Sequence, residues 1–467
     1  MRNYVTVGGM SESIQSSKPT LWRLRAGADR RFRMGHPWVY SNELTDSPKG
    51  IEPGAPVELR DAAGNFLARG YGNPHSLISF RALTRNSEIQ DPGSVEALKT
   101  TLVRAKVVRR MVGLGDVSHR WIFGEADGLP GLILDRFRVG ASRQVVSIQA
   151  HTAGADRLIP RIMDALQLIA QESDDISWDN TSVILRNDLG VRKLEGVPET
   201  APQLLKSIPG MDYSNLDIKV ASAAPAQGSG KLHLELRADL LKGQKTGFFL
   251  DQFANIQLAA LRSQNMKAVG SKIRILDLCC YVGQWSAQLA RLFLEAGHPV
   301  EIVAVDASAR ALELAKVNIE RQRSSTNLPP LKCEFLRLDV LKELGSIGNS
   351  GDTPADFDLV ISDPPALIQG RKDIPAGTHA YLQLNTQVFR LVREGGLVVS
   401  CSCSGLLEEE DFVRTIGKAA YRNRRQVRWV ARGSQSPDHP MLAEFPEGRY
   451  LKCWIGVPFA SVSSRPS

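Results

Sequence analysis

Five apolar runs in the C-terminal half of the chain leave few folds open. KIRILDLCC, EIVAVDA, CEFLRLDV, FDLVISDPP and LVVSCSCS are short and rich in β-branched and aliphatic residues, and amphipathic, helix-length segments fall between them. A strand that is apolar on both faces must be covered on both faces, so alternation with helices specifies βαβ units and a parallel sheet. Four of the runs close on an acid, Asp277, Asp306, Asp339 and Asp363. In a doubly wound sheet ligands lie beyond the carboxyl ends of the strands, so these acids are predicted to line one edge of a binding cleft.

Upstream the pattern changes. From 20 to 91, short alternating runs such as PVELRDAAGNFLARGYG and HSLISFRALTR are split by turn residues, which predicts a small β-barrel. From 92 to 230, helices at Val95 to Val112 and about 154 to 171 flank the strand-like WIFGEADGLPGLILDRF and SVILRNDLGVRKLEG, the order of an α+β domain. The Gly-, Ser-, Ala- and Pro-rich KSIPGMDYSNLDIKVASAAPAQGSGK reads as a loop or elaborated hairpin leading to the α/β unit at 231–467. Residues 1–19, polar and Ser-rich, read as a disordered tail. A length of 467 residues agrees with about three domains.

A net charge of +8 favours a polyanionic partner, because Lys and Arg that neutralise phosphates release condensed counterions. Basicity alone does not establish nucleic-acid binding. The six cysteines, at 279, 280, 333, 401, 403 and 453, form no Cys-x-x-Cys pair, which argues against a zinc ribbon or disulfide framework. No metal is expected. No apolar run reaches the roughly 18 residues of a membrane span, and the N-terminus lacks the pattern of a signal peptide. The expected setting is a reducing cytoplasm, away from membranes.

The acids narrow the ligand. ILDLCCYVGQW puts Asp277 at a strand end and Gly283 before a helix, the place for a nucleotide, and Asp306 closes the next strand, where a carboxylate can accept from ribose hydroxyls. A carboxylate-rich edge without a P-loop or a full GxGxxG disfavours a phosphate-rich cofactor. It suits S-adenosylmethionine, whose sulfonium is cationic and whose ribose and adenine amine donate hydrogen bonds. The Asp363-Pro364-Pro365 loop is stiff and extended, fit to cover a base turned out of a nucleic acid, with Asp363 able to bond a pyrimidine edge and hold a proton at its N3. Ser400-Cys401-Ser402-Cys403-Ser404-Gly405 ends the next strand. Cytosine C5 is too weak a nucleophile to take a methyl group until a thiolate adds at C6. One of the two cysteines is expected to serve as the nucleophile and the other to pack in the core.

Taken together, GHPWVYSNEL, FGEADGLPGLILDRF, RNDLGVRKLEG, KTGFFLDQ, LDLCCYVG, SDPPA, SCSCSG and SPDHPMLAEFPEGRYLK resemble, in order and from about residue 21 to 458, the bacterial 23S rRNA 5-methylcytosine methyltransferases. The resemblance implies an RNA-binding PUA domain at 20–91, a central α+β domain and a Rossmann-like class I methyltransferase domain with a mostly parallel sheet. It implies Cys403 as nucleophile, with Cys401 at a variable apolar position; Asp363, on the reading of its loop above, is the candidate catalytic partner. Cofactor contacts fall at the Asp277 to Gly283 turn with Tyr281, and at Asp306, Asp339 and Asp363. The partner implied is large-subunit ribosomal RNA, and a homodimer is allowed. Ala366 after the double proline matches the one-cysteine arrangement. The chain departs from the pattern at Phe253, Ile256 and Gln284. Asp438 and His439 could position a base or simply form a turn, and the arginines at 422, 424, 425, 428 and 432 could face RNA or solvent. Two rivals stay open: methylation of a guanine ring nitrogen, for which Cys403 is incidental, and a non-catalytic ribosome-assembly factor of the same fold.

Overall fold

Alternation places Trp22, Val39, Val57, Leu59 and Phe80 on one face of the N-terminal strands, each no more than 2% exposed, around Phe32. In the computed structural model β1 (Thr20–Arg23), α1 (Arg30–Arg33), β2 (Trp38–Tyr40), β3 (Pro56–Arg60), β4 (Phe66–Gly72) and β5 (Ile78–Thr84) fold into a small domain with sheet order β1-β3-β4-β5-β2. The structure describes residues 18–461 apart from 174, 176, 224–232, 267–271, 324–326, 344, 346 and 348–355. The tail expected at 1–19 and the low-complexity loop at 222–230 lie largely outside these residues.

The central unit contains α2 (Val95–Met111), β6 (His119–Phe123), β7 (Leu132–Val139), β8 (Arg143–Ala150), α3 (Ala153–Gln171), β9 (Thr181–Leu185), β10 (Gln203–Lys206), β11 (Leu216–Ala221) and β12 (His233–Ala238). Ser94 and Thr152 start the two helices by accepting the amides of Ala97 and Ala155. Both helices cover one face of the sheet β10-β9-β8-β7-β11-β12, with β6 paired beside β7. β12 pairs along its whole length with β11, from Leu216 opposite Ala238 to Ala221 opposite His233. A division at 230/231 therefore cuts a hairpin: the strand assigned on sequence to the C-terminal unit completes the central sheet.

The C-terminal unit follows as α4 (Phe253–Ser263), β13 (Ile273–Leu278), α5 (Gln284–Glu295), β14 (Val300–Asp306), α6 (Ala309–Glu320), β15 (Leu331–Arg337), β16 (Phe357–Ser362), α7 (Ile374–Leu391), β17 (Val392–Ser402), α8 (Glu409–Arg422), β18 (Arg425–Gly433) and β19 (Lys452–Ala460). The sheet order is β15-β14-β13-β16-β17-β19-β18, parallel except for β19, which runs antiparallel between β17 and β18. The chain builds outward from β13 to β15 and then returns to β16. The order thus reverses between β13 and β16, the point at which a crevice opens at the carboxyl ends.

The units are not beads on a string. Phe137, Ile184 and Leu236 of the central sheet share one continuous core with Ile275, Ile302 and Ile455 of the C-terminal sheet and Ala290 of α5. Polar ties reinforce it. Arg120 makes a two-pronged bond to buried Asp135, which also accepts from Thr246 Oγ1 at 2.5 Å. At the other junction Trp38 packs edge-on against Phe445 at 4.7 Å and donates to Glu125, while His36 contacts Glu447. Among the described residues no helix is long and apolar enough to cross a membrane, and no cluster of His, Cys, Asp and Glu is arranged to hold a metal.

Candidate active site

The turn after β13 is strained. Cys279 and Tyr281 have φ of 62° and 49°, in the left-handed region that costs a non-glycine residue roughly 1–2 kcal/mol. Gly283 follows at 75°, where a β-carbon would sit 3.1 Å from Ala315 and Ile319, so glycine lets α5 begin tightly against α6. The coil is held by Asp306, which accepts the Tyr281 amide at 2.9 Å and the Ser308 amide at 2.8 Å. The Tyr281 hydroxyl ties it across the cleft, donating to the Gly247 carbonyl and accepting the Gln244 amide.

Around this turn lies a cavity of about 210 Å³. It is lined by Tyr281, Gln284, Trp285, Asp306, Leu338, Asp339 and Val340 on the β13 to β15 side, and by Asp363, Pro364, Pro365 and Cys403 on the β16 to β17 side. Of the four acids at strand ends, three reach it. Asp277 does not: it lies inside β13, fully buried, and accepts from Ser286 Oγ at 2.6 Å. Burial raises its carboxyl to about 7. Its place is beneath the turn, which it supports without touching the cavity. Asp339 sits at the rim, capped by the Leu341 amide and paired with Lys342, which lower its pKa.

Asp363 is held at both oxygens, by Gln252 Nε2 at 2.7 Å and Trp285 Nε1 at 3.1 Å, yet burial raises it to about 7. Cys403 borders the same space, its Sγ 3.8 Å from the Pro364 carbonyl, and burial pushes the thiol up to about 11 against the pull of Lys245. Cys401 is 1% exposed and packs toward Cys453 of the neighbouring strand. The loop carrying Cys403 is fixed from beneath: Ser402 Oγ donates to the Tyr381 hydroxyl, which bonds Ser404 Oγ at 3.0 Å.

Several site residues were not singled out on sequence. Lys245, itself at a φ of 53°, pairs with Asp251 at 2.7 Å, and Asp251 also accepts from the Tyr450 hydroxyl at 2.5 Å. Gln252 and Trp285 hold Asp363. The only signal was their presence in KTGFFLDQ and CCYVGQW. Asp438 and His439 lie elsewhere: they bond each other, and Asp438 accepts the Arg120 amide while its carbonyl accepts from Arg109, so they lock the C-terminal loop to the central sheet. Ile256 is a core residue and Phe253 lies beside Leu114 and Asp438, outside the main cavity, whereas Gln284 lines it. The arginines at 425, 428 and 432 lie on the edge strand β18, Arg428 stacked on Phe459 and Arg432 paired with Glu409.

The donor set fits S-adenosylmethionine. Lys245, already paired, is the single cation among the described lining residues, and the carboxylates of Asp306, Asp339 and Asp363 suit a sulfonium and hydroxyl donors rather than phosphates. The reversal of strand order, the antiparallel β19 and this acid-lined crevice define a class I methyltransferase, the class whose methyl donor is S-adenosylmethionine. Family models agree, a PUA-like domain matching residues 23–85 and a methyltransferase domain residues 270–444. Ribosomal RNA large subunit methyltransferase I of Photobacterium profundum is 31% identical over 92% of this chain and 98% of its own. Its Escherichia coli K12 counterpart is 30% identical over 92% and 97%. Among solved structures, SMU.776 in complex with SAH superposes with a TM-score of 0.69 at 15% identity, covering 94% of this chain and all of that one. A methyltransferase from Streptococcus mutans gives 0.68 at 14% identity, with the same coverage. The chain belongs to the ribosomal RNA large subunit methyltransferase I family.

Replacing Asp306 removes a cavity-lining carboxylate and the anchor of the Tyr281 amide. With charged hydrogen bonds worth about 1.5–3 kcal/mol each, Asp306→Ala is expected to weaken S-adenosylmethionine binding about a hundredfold, read by calorimetric titration. An unchanged affinity would remove Asp306 from the site.

Proposed function

We propose that this protein methylates C5 of a cytosine in large-subunit ribosomal RNA through a covalent adduct on Cys403. The observation that carries the reading is the shared cavity: Cys403 and Asp363 border the same space as Tyr281 and Asp306, while Cys401 is sealed in the core. The names of the relatives supply the substrate class, and the PUA-like domain is of a kind suited to RNA. Asp277, Tyr281, Gly283, Asp306, Asp339 and Asp363 form or support the cofactor side.

S-adenosylmethionine supplies an electrophilic methyl group. The Cys403 thiolate bonds to C6 of a flipped cytosine as Asp363, protonated near neutrality, gives its proton to N3. The electron pair of the C5–C6 double bond becomes available at C5, which takes the methyl group. The C5 proton then passes to solvent, its electron pair re-forms the C5–C6 double bond and expels the Cys403 thiolate as the C–S bond breaks, and N3 returns its proton to Asp363. Pro364 and Pro365 keep the loop rigid and shed water from the base side.

The test is incubation with protein-free large-subunit ribosomal RNA and methyl-labelled S-adenosylmethionine, followed by nucleoside mass spectrometry. Labelled 5-methylcytidine is expected. A labelled ring-methylated guanosine would overturn the reading.

A further inference from the structure

Lys452 is a buried lysine without an acid. It opens β19 opposite Ser402 of β17 and is 7% exposed. Its Nζ donates to the carbonyls of Ser404, at 2.9 Å, and Tyr450, at 3.2 Å, and among the described ion pairs it has no carboxylate partner. Glu409, at the start of α8, is engaged by Arg432 and by Trp454 Nε1. Carbonyls alone offset poorly the cost of taking an ammonium out of water, so a site of this kind gains most when an anion forms beside it.

A group beside it that can become an anion is Cys403, whose neighbour Ser404 the lysine grips. Ser404 is held on its other side by the Tyr381 hydroxyl and the Ile368 amide, so the Cys403 loop is clamped between α7 and β19. We propose that Lys452 is a positioning residue for the nucleophile: its ammonium fixes the Ser404 peptide and serves as counter-charge to the Cys403 thiolate. The proposal rests on Cys403 being the nucleophile. Burial lowers the Lys452 pKa, and the lysine acts as counter-charge while it holds its proton; the thiol proton leaves to solvent, and the ammonium only biases that equilibrium.

The charged and titratable groups facing Cys403 are Lys245 from the loop after β12, Asp251 from the turn before α4, Asp363 beyond β16, Tyr381 from α7 and Lys452 from β19. Lys245 favours the thiolate but is shared with Asp251, and Asp363 opposes it. Lys452 is the cation left uncompensated, with Glu408 and Glu409 acting on it only from a distance.

The experiment is site-resolved alkylation of Cys403 by iodoacetamide in the full chain without RNA, followed by mass spectrometry from about pH 7.5 to 9.5, where the rate tracks the thiolate fraction. Lys452→Gln, which retains a donor to the carbonyls, is expected to slow alkylation about tenfold at each pH, one unit along the pH axis, and Lys452→Arg to restore it. An unmoved Gln profile, or equal slowing by Gln and Arg, would overturn the assignment. Lys452→Met, close in volume, replaces Gln if the latter does not give a cooperative melt. Because alkylation requires no RNA, a shifted profile in a protein that makes no 5-methylcytidine would leave Lys452 in place and sink the cytosine reading.

Discussion

Cys403→Ala is expected to lower methyl transfer by on the order of 10⁴- to 10⁶-fold, the range seen when a covalent nucleophile is removed. Nothing else in the cavity can replace it. Cys401 faces the core beside Cys453, and Cys279 and Cys280 lie on the cofactor turn, where burial and the surrounding acids push their thiols far up. S-adenosylmethionine affinity should survive, because the turn is held by Asp306 and Tyr281. The check is single-turnover transfer of labelled methyl to RNA alongside calorimetric titration of the cofactor. Comparable transfer by the variant would eliminate a covalent route and promote the guanine ring-nitrogen rival.

Asp363→Asn is expected to cost about 10²- to 10⁴-fold at neutral pH, the usual worth of a positioned proton donor. The pH profile carries more information. Asp363 donates only when protonated, and its pKa is raised to about 7, so the competent fraction is full below that pH and falls above it. The thiolate of Cys403 grows with pH up to about 11. The product of the two fractions rises with pH below about 7 and is level from there to about 11. Asn does not titrate, so the variant should start lower but keep climbing through neutrality. A wild-type rate that rises without a break at 7 would remove Asp363 as the donor.

Much of this site was written in local sequence. Strand periodicity placed Asp306, Asp339 and Asp363 at carboxyl ends. Cys401 and Cys403, two apart, would share one face of a continuous strand; they part because β17 ends at Ser402, which leaves Cys401 in the core and Cys403 on the loop beyond it. What escaped depended on partners distant in the chain. Asp277 shares the strand-end signature, but β13 runs one residue past it and Ser286 captures it from α5. Lys245, Gln252 and Trp285 gain meaning only when the KTGFFLDQ segment crosses the sheet, Gln252 meeting Asp363 over 111 positions. Asp438 and His439 looked chemical because their types are, yet their bonds run to Arg120 and Arg109 on the far side of the domain junction. The place of β12 was lost to the glycine-rich stretch before it, which reads as a boundary although the strand beyond returns to its hairpin mate.

The unbroken core shared by the central and C-terminal sheets has a consequence for how an RNA would be chosen. A receptor braced on both flanks does not hinge to meet its guest, so on the proposed reading the distortion falls on the nucleic acid. Extruding a base costs a few kcal/mol, and least where its stacking is already poor. The stiffness of the protein thereby acts as a filter on nucleotide mobility: positions held firmly in a helix are rejected before any base edge is inspected, and those at loops and bulges are admitted.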